Sequence, residues 1–205
     1  LLAITDGRRD DEGRPLVVGA VRSFYLTGSA GGWARFYPDL RDPVGDLLLE
    51  HVPGVVVNDS ADPAFARDLC AELRPGLEVV NTGAVAGRKA GFDGAIRIGW
   101  EAMRRLDPTY VVHLEDDFRI HRPIDLLAAR EILRRHPRLA QVALQRNPVS
   151  RVEHRAGGQL AAKPREVWRE VCEDLGDGLG PVWGIEHRQF ITTNPSIYHA
   201  AVIEE

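Results

Sequence analysis

The chain has 205 residues, a net charge of −4 and a pI near 6.0, with 44% hydrophobic and 27% charged residues. That is enough sequence for one substantial core, in the composition range of a soluble globular protein. Its charge does not indicate a nucleic-acid footprint, and no run approaches the ~18 apolar residues of a membrane span.

Leu1-Leu2-Ala3-Ile4-Thr5 predicts a first strand, stopped by Asp6-Gly7 and a charged loop from Arg8 to Arg14. Pro15 to Val21 is compatible with strand or helix. The Gly28-Ser29-Ala30-Gly31-Gly32 stretch lacks the GK[ST] of a phosphate cradle and reads as a mobile loop or lid. Gly45 to His51 is helical in pattern, and Gly54-Val55-Val56-Val57 predicts a second strand ending in Asn58-Asp59-Ser60. Asp62-Pro63, a capping residue before proline, opens a helix through Phe65, Leu69 and Leu73. Leu77-Glu78-Val79-Val80 is the third strand. The small, basic stretch from Asn81 to Gly91 suits a surface loop that meets an anion.

From Phe92 the apolar positions Ile96, Trp100 and Met103 mark one helix face, which ends before Asp107-Pro108. Tyr110-Val111-Val112-His113-Leu114 is then a short buried strand that delivers three consecutive carboxylates, Glu115-Asp116-Asp117, to its end. Such acids repel by about 3 kcal/mol at an effective dielectric near 20, so they need water, a basic neighbour or a cation. Hard oxygens suit Mg²⁺ or Mn²⁺ bridging to a phosphate, and the end of a strand is where an open α/β sheet binds ligands. The bland alternative is an acidic turn in which an Asp caps the next element of the chain. His113, mid-strand, reads as a packed or hydrogen-bonded histidine rather than a ligand.

Asp125 caps a further helix through Leu133 that Pro137 ends, and Arg134-Arg135-His136-Pro137-Arg138 is read as cations complementing that helix end. Leu139 to Leu144 is another strand. Arg151 to Pro164 reads as loop, Val167-Trp168 with Val171 as a short helix, and Gly176 to Gly180 as a turn. Phe190 to Thr193 is a last strand, and Asn194-Pro195-Ser196 opens a helix carrying Ile197, Tyr198, Val202 and Ile203. Ser196 lacks a GxSxG frame for a nucleophile, and Trp168 and Trp183 are core residues before they are sugar platforms. Cys70 and Cys172 have no metal-ligand or CxxC spacing and read as reduced thiols of a cytoplasmic protein. The opening inside an apolar run and the unstopped Ile203-Glu204-Glu205 close read as cuts from something longer.

Strands alternating with helices predict an α/β fold with a mainly parallel sheet flanked by helices, clearest over residues 1–145. Three strand ends, Thr5-Asp6, Asn58-Asp59 and Glu115-Asp116-Asp117, would gather at one edge able to hold a base, a ribose and a metal-bound diphosphate.

The helix with Gly91-Phe92, Ala95 and Gly99-Trp100, followed by Tyr110 to Phe118, resembles the segment leading into the DXD-type metal strand of GT-A fold glycosyltransferases, in particular family 2. Val55 to Ser60 is similar to that family's second strand, and Phe190 to Tyr198 looks like a segment after the donor half of related bacterial and phage enzymes. The resemblance implies a nucleotide-sugar (donor) half over residues 1–145 and an acceptor-side segment over 146–205. It places Thr5 and Asp6 against the nucleoside, Asp59 on the base, Arg88 near the phosphates, Asp116 toward ribose or metal, and Glu115 and Asp117 on Mn²⁺ or Mg²⁺. The implied substrates are a nucleotide-diphosphate sugar and an acceptor of unspecified kind, whether glycan, lipid, protein or small molecule. Two features depart from the family: Pro15 to Trp33 is Gly-rich where a helix is usual, and no acid matches an inverting enzyme's base. Glu186, near Trp183 and His187, and Glu204 or Glu205 are the acids available for that role. Two other readings share these residues: a nucleotidyltransferase acting on a sugar phosphate, and a non-catalytic nucleotide-binding or receiver-like module, which would want a later Lys where only the loop residue Lys163 exists.

Overall fold

The computed structural model describes residues 1–17, 53–73, 77–83, 89–116, 126–144, 150–156, 163–176, 181–188, 192 and 195–203. Strands β1 (Leu2–Thr5), β2 (Gly54–Asn58), β3 (Leu77–Asn81) and β4 (Tyr110–Glu115) alternate with helices α1 (Pro63–Glu72) and α2 (Phe92–Arg105). Helix α3 (Leu126–Arg135), β5 (Gln141–Ala143), the short helix α4 (Arg151–Ala156), β6 (Trp168–Asp174), β7 (Pro181–His187) and β8 (Ser196–His199) come next in the chain. The main sheet has six strands in the order β3-β2-β1-β4-β8-β5. β1 pairs in parallel with β2 and β4, and β2 with β3, whereas β8 runs antiparallel between β4 and β5. The fold is therefore a mixed, mainly parallel α/β sheet flanked by helices, as the strand and helix alternation predicts.

Both faces of the sheet are covered, which is why β1 and β2 read as unbroken apolar runs. Leu1, Ala3, Val56 and Leu114 pack with Phe65 and Leu69 of α1. On the other face Leu2, Ile4, Val55 and Val57 pack with Ala95, Ala102 and Met103 of α2. Asp62 caps α1 by accepting from the Ala64 amide at 2.8 Å, with Pro63 at the first helical position. Gly99 lets α2 sit close to the sheet: a Cβ there would fall 2.8 Å from Leu2 Cδ1 and 3.1 Å from Val57 Cγ2.

Three secondary-structure expectations for the second half are corrected, and Trp183, expected in the core, is exposed. The Ser196–His199 segment is a strand rather than the start of a helix. It enters the sheet with Ile197 toward α3 and Tyr198 toward α2, so both faces are buried and the slot between two strands overrides the Asn-Pro helix signal. The expected helix around Trp168 and Val171 is strand β6, which forms a seven-pair antiparallel hairpin with β7. Arg151–Ala156, expected as loop, is a short helix in which the Ser150 hydroxyl accepts from the Glu153 amide at 3.1 Å. It buries no residue, so it carries no apolar period to read. The expected lid at Gly28–Gly32, the helix at Gly45–His51 and the Asp125 cap lie outside the described residues, as does the Phe190–Thr193 strand except for Thr192.

Chain direction defines two opposite edges of the sheet. The C-terminal ends of β1, β2 and β4 share one edge because these strands are parallel. Helix α3 ends at the other: the Leu133 carbonyl lies 3.3 Å from His199 Nε2, and His199 pairs with Tyr110, the first residue of β4.

Candidate functional site at the carboxyl edge of the sheet

At the shared edge the polar ends of the three strands are joined by hydrogen bonds. The buried Thr5 hydroxyl donates to Asp116 Oδ2 at 2.6 Å, and the Asp6 amide donates to the same oxygen at 3.3 Å. The Asp116 amide donates to the Ile4 carbonyl, and the Asp59 amide to the Thr5 carbonyl. Gly7, at φ +94°, turns the chain so that its amide donates to the Thr5 hydroxyl oxygen. A Cβ at Gly7 would also fall 2.6 Å from Ser60 Cβ, so the turn after β1 and the turn after β2 fit only with glycine there.

Asp116 is a buried carboxylate. Burial raises its pKa above the ordinary carboxylate value; the Thr5 hydroxyl bond opposes the rise, and the neighbouring Asp6 charge adds to it. Asp6 itself is half exposed and pairs with Arg8, whose Nε lies 3.2 Å from its carboxylate. Lys89 reaches the Asp6 carbonyl at 2.7 Å, which brings a cation from the loop before α2 to the turn after β1.

Asp59 is also buried, and its carboxylate accepts from the Thr82 hydroxyl and from the amides of Ala90 and Gly91 at 2.6 and 3.0 Å. Gly91 is the residue before α2 and has no side chain to cap it. Asp59 thus caps a helix from a different strand, at the end of the helix where a negative charge is favoured. Beside it the Asn58 amide nitrogen donates to Asn81 Oδ1 at 2.8 Å, and the Ser60 amide donates to Asn58 Oδ1.

Glu115 alternates to the α2 side of the sheet, with Ile4 as its partner on β1. Its side chain is 14% exposed, and among the described residues the buried Oε1 has no hydrogen-bond partner. Two residues earlier on the same face, His113 is buried and its Nε2 also has none. The two atoms face each other at 3.5 Å.

The predicted residues Thr5, Asp6, Asp59, Glu115 and Asp116 are therefore brought to one edge, whereas Arg88 and Asp117 lie outside the described residues, as do Glu204 and Glu205. Glu186 is on β7, away from the main sheet's strands, with both Arg169 Nε and the other guanidinium nitrogen on its carboxylate. Among the described residues no group of three His, Cys, Asp or Glu side chains is arranged to hold a metal ion. The donors here that suit a divalent cation are the carboxylates at the end of β4, whose hard oxygens match Mn²⁺ or Mg²⁺ when water and a phosphate complete the shell. Two partnerships at this edge are visible only in the fold: Lys89 with the Asp6 carbonyl, and His113 with Glu115, whose alternation is legible in the sequence but whose contact is not.

No family model matches the chain, and no curated protein matches it in sequence. Among solved structures the chain is similar to CMP:2-keto-3-deoxy-manno-octonic acid synthetase complexed with CTP, at 14% identity and a TM-score of 0.49, over 100% of this chain and 75% of that one. No helix among the described residues is long and apolar enough to cross a membrane.

Proposed function

We propose that this chain is a transferase acting on a nucleotide-linked sugar, and that a divalent cation at the carboxyl edge of β1, β2 and β4 holds the nucleotide's phosphates. The observation that supports it is the bonding of Thr5, Asp6 and Asp116 into one polar knot next to Glu115, at the sheet edge where α/β folds take nucleotides. On this reading Glu115 and Asp117 hold Mn²⁺ or Mg²⁺, Asp116 and Thr5 face the ribose and nucleoside, and Asp6 and Arg88 line the path of the phosphates. Asp59 holds the start of α2 in place and keeps one lone-pair direction for the base. The bound cation supplies charge neutralisation on the departing phosphate group. The chain's own residues orient the nucleotide so that the bond to be broken points away from the knot, toward an acceptor.

The finer reading is glycosyl transfer from a nucleotide-diphosphate sugar, which rests on the resemblance of the Tyr110–Phe118 stretch to a DXD strand. A second reading is nucleotidyl transfer to a sugar phosphate or related sugar. One observation favours it: Glu186, the candidate base that lies among the described residues, is paired with Arg169 rather than presented alone to an incoming hydroxyl. Incubating the chain with Mn²⁺ and panels of nucleotide sugars or nucleoside triphosphates separates the two. Nucleoside diphosphate released from a nucleotide sugar marks glycosyl transfer, and pyrophosphate released from a triphosphate marks nucleotidyl transfer. Nucleotide binding that is indifferent to metal and to Glu115→Gln would contradict both.

A further inference from the structure

We infer that Asn81 reads the far edge of the nucleotide's base by donating to an exocyclic carbonyl, so that the site takes keto bases (uracil, guanine) in preference to amino bases (cytosine, adenine). This rests on the transferase reading above and deepens it by naming a residue that selects the substrate. Three observations carry it. The first is a polar row: Thr5, Asn58 and Asn81 are the last residues of β1, β2 and β3 and lie opposite one another in register. Each follows by two a residue that packs toward α1, namely Ala3, Val56 and Val79, so all three side chains lie on that face of the sheet. Thr5 and Asn58 are closed to solvent, whereas Asn81, on the last strand of the order, is exposed.

The second observation is the direction of the Asn81 amide. The Ser60 amide can only donate, and it donates to Asn58 Oδ1 at 3.0 Å. Asn58 therefore turns its Nδ2 to Asn81 and donates to Oδ1 there at 2.8 Å. The Asn81 oxygen is occupied by a buried neighbour, and its Nδ2, which can only donate, is left on the outer side with no further bond among the described residues. The third observation is a change of polarity along the edge. Around Asn81 the groups are the neutral Asn58, Ser60 and Thr82, and the Asp59 charge is met by the Thr82 hydroxyl and two backbone amides. At β1 and β4 they are charged: Asp6 with Arg8, Lys89 on the Asp6 carbonyl, and Asp116. From β3 to β4 is three strand spacings, about 14 Å, a length that a nucleoside diphosphate spans. A nucleotide laid along this edge puts its uncharged base toward Asn81 and its phosphates toward β4. Asn81 then meets the part of the base farthest from the ribose, where uracil and guanine carry an oxygen that accepts and cytosine and adenine an amino group that donates.

The test is isothermal titration of the wild type and of Asn81→Asp with UDP, GDP, CDP and ADP in the presence of Mn²⁺. Asn81→Asp keeps an oxygen for Asn58 and replaces only the outward donor by an acceptor. The expected result is that the tighter of UDP and GDP binds the wild type at least about tenfold better than CDP or ADP, and that Asn81→Asp abolishes or reverses this ratio. Should Asn81→Asp fail to fold, NMR of the wild-type side-chain amides asks the same question: the Asn81 signal is expected to shift with UDP or GDP and to stay in place with pyrophosphate. A wild type that binds all four alike or prefers CDP or ADP, a keto preference that survives Asn81→Asp, or an Asn81 signal unmoved by UDP and GDP overturns the base reader and leaves the transferase reading intact. Failure to bind any of the four nucleotides overturns both.

Discussion

The carboxyl edge of the main sheet and the β6–β7 hairpin are both built of strands carrying acids and bases, yet their polar groups are used in opposite ways. At the edge, Thr5, Asp59, Asp116, His113 and Glu115 are buried or nearly so, and bonds between them link positions up to 111 residues apart. On the hairpin, Glu170 pairs with Arg165 and Glu186 with Arg169, all near neighbours in sequence or across one strand pair, and Trp183 is 76% exposed. The hairpin is held to the body at its turn end, where Arg135 donates to the carbonyls of Asp174 and Leu175 and His136 contacts Glu173. Charge buried between strands that are distant in sequence needs a reason beyond stability, since ion pairs on a surface contribute little and buried polar groups cost much. The edge carries that cost and the hairpin does not, which is why the site is placed at the edge.

The sharpest break in the comparison comes from the core beneath the edge. Leu2→Ala removes a fully buried side chain from β1 under α2 and is expected to cost about 2–5 kcal/mol in urea unfolding. Asp59→Ala leaves the amides of Ala90 and Gly91 without their acceptor and is expected to cost about 1–3 kcal/mol, with faster amide exchange confined to the first turn of α2. If Asp59 served only a ligand, the variant would unfold like the wild type. On the hairpin, Trp183→Ser is expected to change stability by less than about 0.5 kcal/mol. A loss above about 2 kcal/mol there would show that this face is covered in the intact molecule and would erase the contrast.

A smaller effect is expected where α3 meets the hairpin. Glu131 accepts from both Arg134 and Arg135, and these bonds hold its carboxyl down to about 2. A carboxyl whose pKa is lower folded than unfolded adds stability above its unfolded value, and that stability is lost as pH falls through the usual carboxylate range toward about 2. Glu131→Gln should therefore be less stable than the wild type at neutral pH, by under about 1 kcal/mol because its arginine partners reach solvent, and the difference should vanish in acid. A difference that is constant with pH would mean that the packing of the side chain, not its charge, is what matters.

The same contrast explains how much could be read from the sequence. Over the first four strands, apolar runs such as Val55-Val56-Val57 and the helical spacing of Phe92, Ile96 and Trp100 leave a single reading, and the structure agrees with it. Parallel pairing then brings Thr5, Asp59 and Asp116 together without further information. In the second half the signals are local and the outcome is not. Ile197 and Tyr198 read locally as the start of a helix, and only the open position between β4 and β5 makes them a strand. Val167, Trp168 and Val171 suggest a helical face, but only Val167 is in a helical turn, and the partner strand that takes Trp168 and Val171 into a ladder carries exposed residues and no clean alternation. Within the site, the acidic triplet announces itself, while the caps that Asp59 provides depend on where α2 begins relative to β2, which no local pattern states.

Paramagnetic broadening of backbone amides by Mn²⁺ in the presence of a nucleoside diphosphate tests the location of the site most directly. Strong broadening is expected at Gly7, Asp59 and Asp116, with sharp signals from Asp174 to Gly176, which lie with the end of α3 at the opposite edge of the sheet. Broadening centred on the hairpin turn, or none at the carboxyl edge, would contradict a metal and nucleotide site at the ends of β1, β2 and β4.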